Sequence, residues 1–264
     1  MEFYKYSGSG NDFLIFDNRD DSLVITPSQV REICARREGV GADGIIFLNT
    51  SKQGHDFSMR IWNADGSEAE MCGNGSRCVV HFANTVLKVK EDTKYVFDTM
   101  NGVYEGEIVG VNEVKIKMTE LYDVEAINVS DFSAKAGMYL NTGVPHTCLQ
   151  VSSVEDVKVE SFGRVIRNDV RFPAGTNVDF FEIVDMKQQV IKLRVYERGV
   201  EAETLCCGTG VMATAVTCAK LYGWTGEVKV HAKGGLLKAI VDKDLKNLYF
   251  QGQVKNIYKG LLEL

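Results

Sequence analysis

The chain has 264 residues, of which 45% are hydrophobic and 25% are charged, a composition typical of a globular protein with a substantial buried core. A formal net charge of −6 argues against a nucleic-acid partner, and no apolar run reaches the roughly 18 residues of a membrane span. Because the N-terminus also lacks the regions of a signal peptide, we expect a cytoplasmic protein with no membrane partner.

The predicted elements are few helices among many strands. A first helix begins at the Thr26-Pro27 cap and runs to about Arg37. The spacing of apolar residues predicts two longer helices, after Gly75 and after Gly210, and a shorter helix covers residues 160–168. Alternating segments predict strands over residues 95–98, 104–109, 113–118, 192–196, 227–232, 236–241 and 247–251.

Seven cysteines in a chain without an export signal argue against a disulfide framework, since the number is odd. No Cys-x-x-Cys pair occurs and the four histidines are scattered, so the spacing supports no metal site. Four of the cysteines are expected to be small buried residues, namely Cys34, Cys78, Cys148 and Cys218.

Three pairs of segments repeat along the chain in the same order. The pairs are residues 59–75 with 193–210, 41–47 with 175–181, and 9–15 with 142–148. In the first pair a strand and a polar turn lead to Cys-Gly-x-Gly, which places Cys72 135 positions before Cys207; the other offsets are 134 and 133. Collinear matches predict a duplicated pair of domains, residues 1–118 and 119–252, with a boundary near Thr119–Leu121.

A cysteine followed by glycines at a helix start can act as an acid or base beside an anion site. The first N–H groups of a helix lack internal partners and carry partial positive charge, so they bind carboxylates, and their field is expected to lower the thiol pKa. Two such motifs facing one cleft predict inversion of a stereocentre, with one thiolate removing a proton and the opposing thiol returning one. Cys207 is chosen over its neighbour Cys206 because it precedes Gly208 as Cys72 precedes Gly73; Cys206 is expected in the core.

The carboxylate of an amino-acid substrate would be held by the N–H groups of Gly73, Asn74, Gly208 and Thr209. These groups would also stabilise charge that moves into the carboxylate as the carbanion forms, so the scheme needs no cofactor and no metal.

The chain resembles the diaminopimelate epimerases nearly end to end. The strongest motifs are residues 5–13, 63–68, 71–78, 196–199 and 203–210. The resemblance implies interconversion of LL- and meso-2,6-diaminopimelate for lysine and peptidoglycan biosynthesis, without pyridoxal phosphate. It implies an α/β (α+β) fold of two pseudo-symmetric halves, each a mostly antiparallel sheet wrapped around a central helix, with the active site in the cleft between them. A last strand, within residues 253–264, is expected to return to the first half.

The resemblance also assigns roles to individual residues. Cys72 and Cys207 match the acid/base pair. The substrate contacts match Asn11, Asn63, Asn74, Asn177, Glu197, Arg198, Gly208 and Thr209. Glu197 and Arg198 offer a carboxylate and a guanidinium fork to the second amino-acid head of the substrate. His146 is expected to be structural or to support a thiol.

Two departures from the family pattern concern the substrate rather than the reaction. Some relatives carry an amide side chain where Gly44 and Val144 stand here. The alternative is therefore a related racemase of another amino acid, such as lysine or histidine. A thiol redox protein, a cysteine hydrolase or a non-catalytic amino-acid binding module would be other classes. The sequence is compatible with a homodimer and does not fix the oligomeric state.

Overall fold

The computed structural model describes residues 1–118 and 121–263, which pack as two compact units. The first unit comprises residues 1–116 together with the chain from Gly252 onward, and the second comprises residues 117–251. The boundary that the sequence predicts near Thr119–Leu121 falls on residues 119 and 120, which lie outside the described residues, as does Leu264 at the end of the expected returning strand.

Residues 1–117 form eight strands and two helices. They are β1 (Glu2–Gly8), β2 (Asn11–Asp17), α1 (Pro27–Cys34), β3 (Gly44–Asn49), β4 (Phe57–Asn63), β5 (Glu68–Ala69), α2 (Gly73–Thr85), β6 (Lys94–Thr99), β7 (Gly102–Gly110) and β8 (Glu113–Lys117), whose last residue is assigned to the second unit.

The second unit continues the numbering. Its elements are β9 (Tyr122–Ala126), β10 (Ala136–Asn141), β11 (Pro145–Gln150), α3 (Val159–Arg167), β12 (Asn177–Asp185), β13 (Val190–Glu197), β14 (Ala202–Thr204), α4 (Gly208–Tyr222), β15 (Gly226–Ala232), β16 (Gly235–Val241) and β17 (Leu248–Leu261), with a short 3₁₀ turn at Ser130–Phe132. Residues 248–251 of β17 belong to this unit; the rest of the strand belongs to the first, where it pairs antiparallel with β1.

One order of elements occurs in both units. The segment from β1 to β7 corresponds element by element to the segment from β10 to β16, with α2 matching α4. The parallel ladders also recur at the same places: β2 with β3 and β4 with β6 in the first unit, β11 with β12 and β13 with β15 in the second. The other paired strands run antiparallel. The predicted pair of pseudo-symmetric, mostly antiparallel halves is therefore confirmed.

Each unit wraps its strands around one buried helix. Helix α2 packs against β1, β2, β3, β4 and β7, and α4 packs against β10, β11, β12 and β16. In α4 every residue from Val211 to Cys218 is buried, because a helix that is apolar on all sides is stable only inside a core. The predicted central helices are confirmed, and both begin directly after a cysteine.

Helix α1 begins as predicted but ends earlier. Thr26 and Gln29 form a capping box, in which the Thr26 hydroxyl accepts from the Gln29 N–H at 3.3 Å and the Gln29 amide accepts from the Thr26 N–H at 2.9 Å. The helix ends at Cys34 instead of about Arg37. The chain turns back at Ala35, and the N–H of Gly41 bonds the Ile33 carbonyl at 3.0 Å, which satisfies a carbonyl at the helix end.

The ladders fix which residues of the two units are equivalent. Gly44 pairs with Phe13 on one side and with Asn63 on the other. Asn177 pairs with His146 on one side, and on the other side it lies opposite Glu197, one position beyond the pair of Val178 with Tyr196. Asn177 lies 133 positions after Gly44, whereas the sequence match of these two segments has an offset of 134. The sequence match is therefore one residue out of register within the strand. Before the strand the offset of 134 is correct, because it aligns Gly41 with Gly175, which both have positive φ.

Gly163 makes a close approach that a side chain would prevent. A Cβ at this position in α3 would lie 2.4 Å from Cβ and Cγ of the buried Tyr196. Gly163→Ala would gain about 1 kcal/mol of helix propensity, yet we expect it to lower the free energy of unfolding by about 1–3 kcal/mol through overpacking. Urea unfolding measures the change, with the exposed Arg164→Ala in the same helix as control. A stabilised Gly163→Ala protein would contradict the packing.

Candidate active site

Cys72 is the N-cap of helix α2. Its backbone is extended (φ −143°, ψ 118°), and its half-buried sulfur accepts from the Gly75 N–H at 3.5 Å. The predicted arrangement of a thiol beside the first N–H groups of a helix is therefore present in the first unit. Gly75 admits no side chain easily, since a Cβ would lie 3.1 Å from the methyl carbons of Ile46 and Ile61.

Two of the predicted substrate-contact residues lie beside Cys72. The Asn11 Oδ1 is 3.8 Å from the Cys72 sulfur and 3.4 Å from the Asn74 Nδ2. The other end of the Asn11 amide donates to Asp43 at 2.8 Å. Because the carboxylate of Asp43 accepts only, it directs the carbonyl oxygen of Asn11 towards the thiol.

A cluster of charged residues supports Asn11. Asp12 bonds Lys5 at 2.6 Å and Arg36 at 2.8 Å, and Arg36 also bonds Asp43 at 2.6 Å. Burial would raise the pKa of Asp12, but hydrogen bonds from Arg36 and Lys5 outweigh it, and the pKa is lowered. Sequence reasoning missed this cluster. Its signal is Lys5, which occupies an inward position of β1 in line with the buried Phe3.

Arg77 fixes the orientation of Asn74 from inside the unit. Its guanidinium is fully buried and donates to Asn74 Oδ1 at 2.7 Å, Ser9 Oγ at 3.1 Å and the Gln253 carbonyl at 3.1 Å. The sequence signal was an arginine within the apolar face of a predicted helix. Arg77 therefore holds the Asn74 side chain from the interior of the unit, while the backbone N–H of Asn74 lies in the first turn of α2.

Cys207 is the corresponding N-cap of helix α4, and a chain of hydrogen bonds leads away from it. Its sulfur lies 3.2 Å from the Thr209 hydroxyl, which lies 2.9 Å from Nε2 of His146. His146 Nδ1 is 2.6 Å from Asp179. The sequence named Thr209 and His146 but missed Asp179, a charged residue within the otherwise apolar run 178–181 of β12.

The expected lowering of the thiol pKa is wrong for Cys207. Burial raises the pKa of this thiol well above its ordinary value, and the nearby carboxylates of Glu197 and Asp179 raise it further. Hydrogen bonds with Thr209 and the Gly210 N–H act in the opposite direction without offsetting burial. Burial therefore favours the thiol form of Cys207, the form that donates a proton. Its neighbour Cys206 packs in the apolar core of the unit, as predicted.

Asn177, the first residue of β12, lies beside Arg198, which directly follows β13. Asn177 donates to the Pro145 carbonyl at 2.9 Å and accepts from the Arg198 N–H at 2.8 Å, so its side chain ties two loops together. The Arg198 guanidinium donates to the Ala174 carbonyl at 2.9 Å. Burial raises the pKa of Glu197, the residue before Arg198.

Asn63, another predicted substrate contact, is the last residue of β4. Its side chain donates to Ser67 at 3.1 Å within the turn from β4 to β5, and it is exposed. Its place at the end of β4 is equivalent to that of Glu197 at the end of β13. Contact of Asn63 with substrate stays a prediction.

Within residues 1–118 and 121–263 no helix is long and apolar enough to cross a membrane. No group of three or more histidine, cysteine, aspartate or glutamate side chains in these residues is arranged to hold a metal ion.

Comparison with known proteins identifies the family. The family model for diaminopimelate epimerase matches residues 3–124 and 138–257, two segments of similar length. The diaminopimelate epimerase of Aquifex aeolicus is 40% identical, with 99% of this chain and 98% of the relative covered. That of Chlorobaculum tepidum is 38% identical, with 98% and 100% covered.

Solved structures share the fold at low sequence identity. A Bacillus anthracis phenazine biosynthesis protein of the PhzF family superposes with a TM-score of 0.78 at 15% identity, covering 100% of this chain and 99% of that one. A hydroxyproline epimerase from Agrobacterium vitis gives a TM-score of 0.69 at 13% identity, with 98% and 91% covered. The sequence match over nearly the whole length places the chain in the diaminopimelate epimerase family, and the chain is an isomerase.

Proposed function

We propose that the chain interconverts LL- and meso-2,6-diaminopimelate by inverting one α-carbon with a thiolate and a thiol, those of Cys72 and Cys207. The observation that supports this most directly is the repeated cap: each unit carries a cysteine at the N-cap of its central buried helix, at equivalent positions. The relatives named above carry the same activity in their names. The pathway served would be lysine and peptidoglycan biosynthesis, in the cytoplasm.

The proposed reaction needs the two sulfurs on opposite faces of the α-carbon. A thiolate removes the α-proton, and the other thiol donates its proton to the opposite face, so that the roles are exchanged in the reverse direction. The α-carboxylate would bind the N–H groups at the two helix starts, those of Gly73, Asn74, Gly208 and Thr209. These fixed dipoles favour the carbanion because they stabilise the charge that it moves into the carboxylate. No cofactor enters the scheme.

The second amino-acid head of the substrate would be read by polar groups at the strand ends. We propose that Arg198 binds the distal carboxylate and that Glu197 binds the distal ammonium, with Asn63 and Asn177 as further contacts. Asn177 supports the first assignment because it holds the Arg198 backbone in place.

Arg198→Ala tests whether Arg198 binds the distal carboxylate of diaminopimelate. Loss of a charged hydrogen-bonded pair costs about 2 kcal/mol, so we expect kcat/KM for diaminopimelate to fall roughly 30-fold. Arg171→Ala is the matched control, because Arg171 is an exposed arginine of the same unit that pairs with Asp169. An unchanged kcat/KM in Arg198→Ala would exclude Arg198 as the distal contact.

Gly44 and Val144 are the reason for considering another amino acid as substrate, because both lack the amide side chain that some relatives carry at these positions. A substrate panel of LL-diaminopimelate, lysine and histidine decides between the two readings. We expect kcat/KM to be highest for diaminopimelate. A preference for lysine or histidine would make the chain a racemase of that amino acid instead.

We further propose a homodimer, which light scattering of the purified protein tests directly.

A further inference from the structure

The hydrogen-bond chain behind Cys207 has a defined direction. Asp179 and His146 have fully buried side chains, and the Asp179 Oδ2 is 2.6 Å from His146 Nδ1. A carboxylate only accepts, so Nδ1 carries the proton and Nε2 keeps its lone pair. Nε2 then accepts from the Thr209 hydroxyl at 2.9 Å, which leaves the Thr209 oxygen to accept from the Cys207 thiol at 3.2 Å.

The first unit lacks this chain at equivalent positions. The strand registers place Phe13 where the second unit has His146, and Ile46 where it has Asp179. Phe13 and Ile46 are buried in the apolar core around α2. The fold is therefore built in one half with an apolar pair and in the other with a buried ionisable pair. An apolar pair packs at these positions without the cost of desolvating ionisable groups, so the second pair points to a role in the chemistry of Cys207.

The last glycine of each Cys-Gly-x-Gly motif packs against the residue at this position, which differs between the two units. A Cβ at Gly75 would meet methyl carbons of Ile46 and Ile61, whereas a Cβ at Gly210 would lie 2.3 Å from Oδ1 of Asp179. Gly210 thus makes room for the carboxylate beside the first turn of α4, where the positive end of the helix dipole stabilises a negative charge. Within the described residues this buried Oδ1 has no hydrogen-bond partner, and His146 bonds the other oxygen of the carboxylate.

The other groups that face the pair are few. From β11, the thiol of Cys148 lies 3.7 Å from Asp179 Oδ2, and its sulfur accepts from Thr214 of α4 at 3.8 Å. From β13, the half-buried carboxyl of Glu197 acts electrostatically on Cys207 and is itself influenced by His146. No cation other than His146 enters these contacts, so a positive charge on the imidazole would be neutralised by Asp179.

We propose that Asp179 is a positioning residue that sets the proton of Cys207 through His146 and Thr209. When Cys207 must act as the base, its S–H proton passes to the Thr209 oxygen while the Thr209 hydroxyl proton passes to His146 Nε2. The net change is a thiolate at Cys207 and an imidazolium that Asp179 stabilises, and the reverse transfer restores the thiol. In the first unit the positions equivalent to His146 and Asp179 hold Phe13 and Ile46, so the two thiols have unequal surroundings. The inference rests on the two-thiol function proposed above.

The unmodified protein gives the first test. Nitrogen-15 NMR of the histidine rings distinguishes a protonated nitrogen from one with a lone pair, and His146 is assigned by its loss in His146→Phe. We expect His146 as the Nδ1–H tautomer near neutral pH. An Nε2–H tautomer would overturn the relay, because Nε2 could not then accept from Thr209.

Variants give the second test. We expect Asp179→Asn to lower kcat about 100-fold with KM within about threefold of wild type, since the substrate contacts are unchanged. Thr209→Val should have a similar effect and Thr209→Ser should restore most of kcat. The matched control is Asp98→Asn, because Asp98 makes the same 2.6 Å contact with a histidine Nδ1, that of His55, in the first unit. Wild-type kcat in Asp179→Asn would overturn the proposal.

A double variant guards against misfolding. His146→Phe with Asp179→Ile copies the apolar pair that already packs in the first unit, so it keeps the core while removing the relay. We expect a folded protein in which iodoacetamide alkylates Cys207 about tenfold more slowly than in wild type at neutral pH, while the rate for Cys72 changes less than twofold. Unchanged reactivity at Cys207 would overturn the relay.

The thiol-reactivity and NMR measurements do not require any substrate. If the tautomer and the Cys207 reactivity behave as expected but diaminopimelate is not turned over, the relay stands and the proposed substrate fails. If diaminopimelate is epimerised normally by the double variant, the proposed function stands and the relay fails.

Discussion

Cys72→Ser and Cys207→Ser should each lower kcat for diaminopimelate by about 10³-fold, because a hydroxyl is a far weaker acid than a thiol and general acid–base catalysis contributes about 10²–10⁴-fold. KM should change little, since the helix N–H groups proposed to bind the α-carboxylate remain. In the proposed mechanism each cysteine serves one face of the α-carbon, so neither can replace the other.

Cys206→Ala is the control for this experiment. Cys206 adjoins Cys207 in the chain but packs in the apolar core, so its variant should keep near-normal turnover with a modest loss of stability. Circular dichroism of all three variants establishes that they are folded. More than a tenth of wild-type kcat in either catalytic variant would remove that cysteine from the mechanism.

Asp12→Ala should destabilise the first unit by about 3 kcal/mol, because it leaves the buried ammonium of Lys5 without its carboxylate. Asp17→Ala is the matched control in the same strand. Asp17 pairs with Arg19 at an exposed site, so its removal should cost about 0.5 kcal/mol. Urea unfolding measures both, and equal costs would contradict the supporting role of the Asp12 cluster.

The pH dependence of the Asp12 effect has a definite sign. Folding lowers the pKa of Asp12, so the carboxylate contributes stability above its unfolded pKa of about 4 and loses it as the pH falls towards the folded value. The difference in unfolding free energy between wild type and Asp12→Ala should therefore be constant from pH 7 to 5 and shrink below about pH 4. A difference that grows on acidification would contradict the assignment.

Features that depend on neighbouring residues were predictable from the sequence. The Thr26-Pro27 start of α1 and the two central helices follow from caps, glycines and apolar spacing within one or two turns. The duplication was visible because a Cys-Gly-x-Gly motif follows a strand in both halves. These signals are local, so they need no knowledge of the tertiary fold.

The polar networks around the thiols were not predictable in the same way. Asp43 meets Asn11 and Asp179 meets His146 only because parallel strands from distant parts of the chain lie side by side. The sequence named His146 but gave no partner for it.

The acidity of Cys207 is the clearest case in which one physical effect outweighed another. The helix start predicted a lowered pKa, whereas burial and two carboxylates raise it. A motif shows the helix dipole but not the depth of burial, which depends on the packing of α4 against the strands of its unit. In the proposed mechanism Cys207 therefore needs a route for its proton, which the hydrogen-bond chain through Thr209 would supply.

Deuterium incorporation tests the two-thiol mechanism most directly. In deuterated buffer, LL-diaminopimelate at low conversion should give meso product that carries deuterium at the inverted α-carbon, while the remaining LL substrate stays largely protiated. This follows because one thiol holds the abstracted proton while the other delivers a solvent-exchanged one to the opposite face. Product that retains the original proton, or equal labelling of substrate and product, would contradict inversion by two separate cysteines.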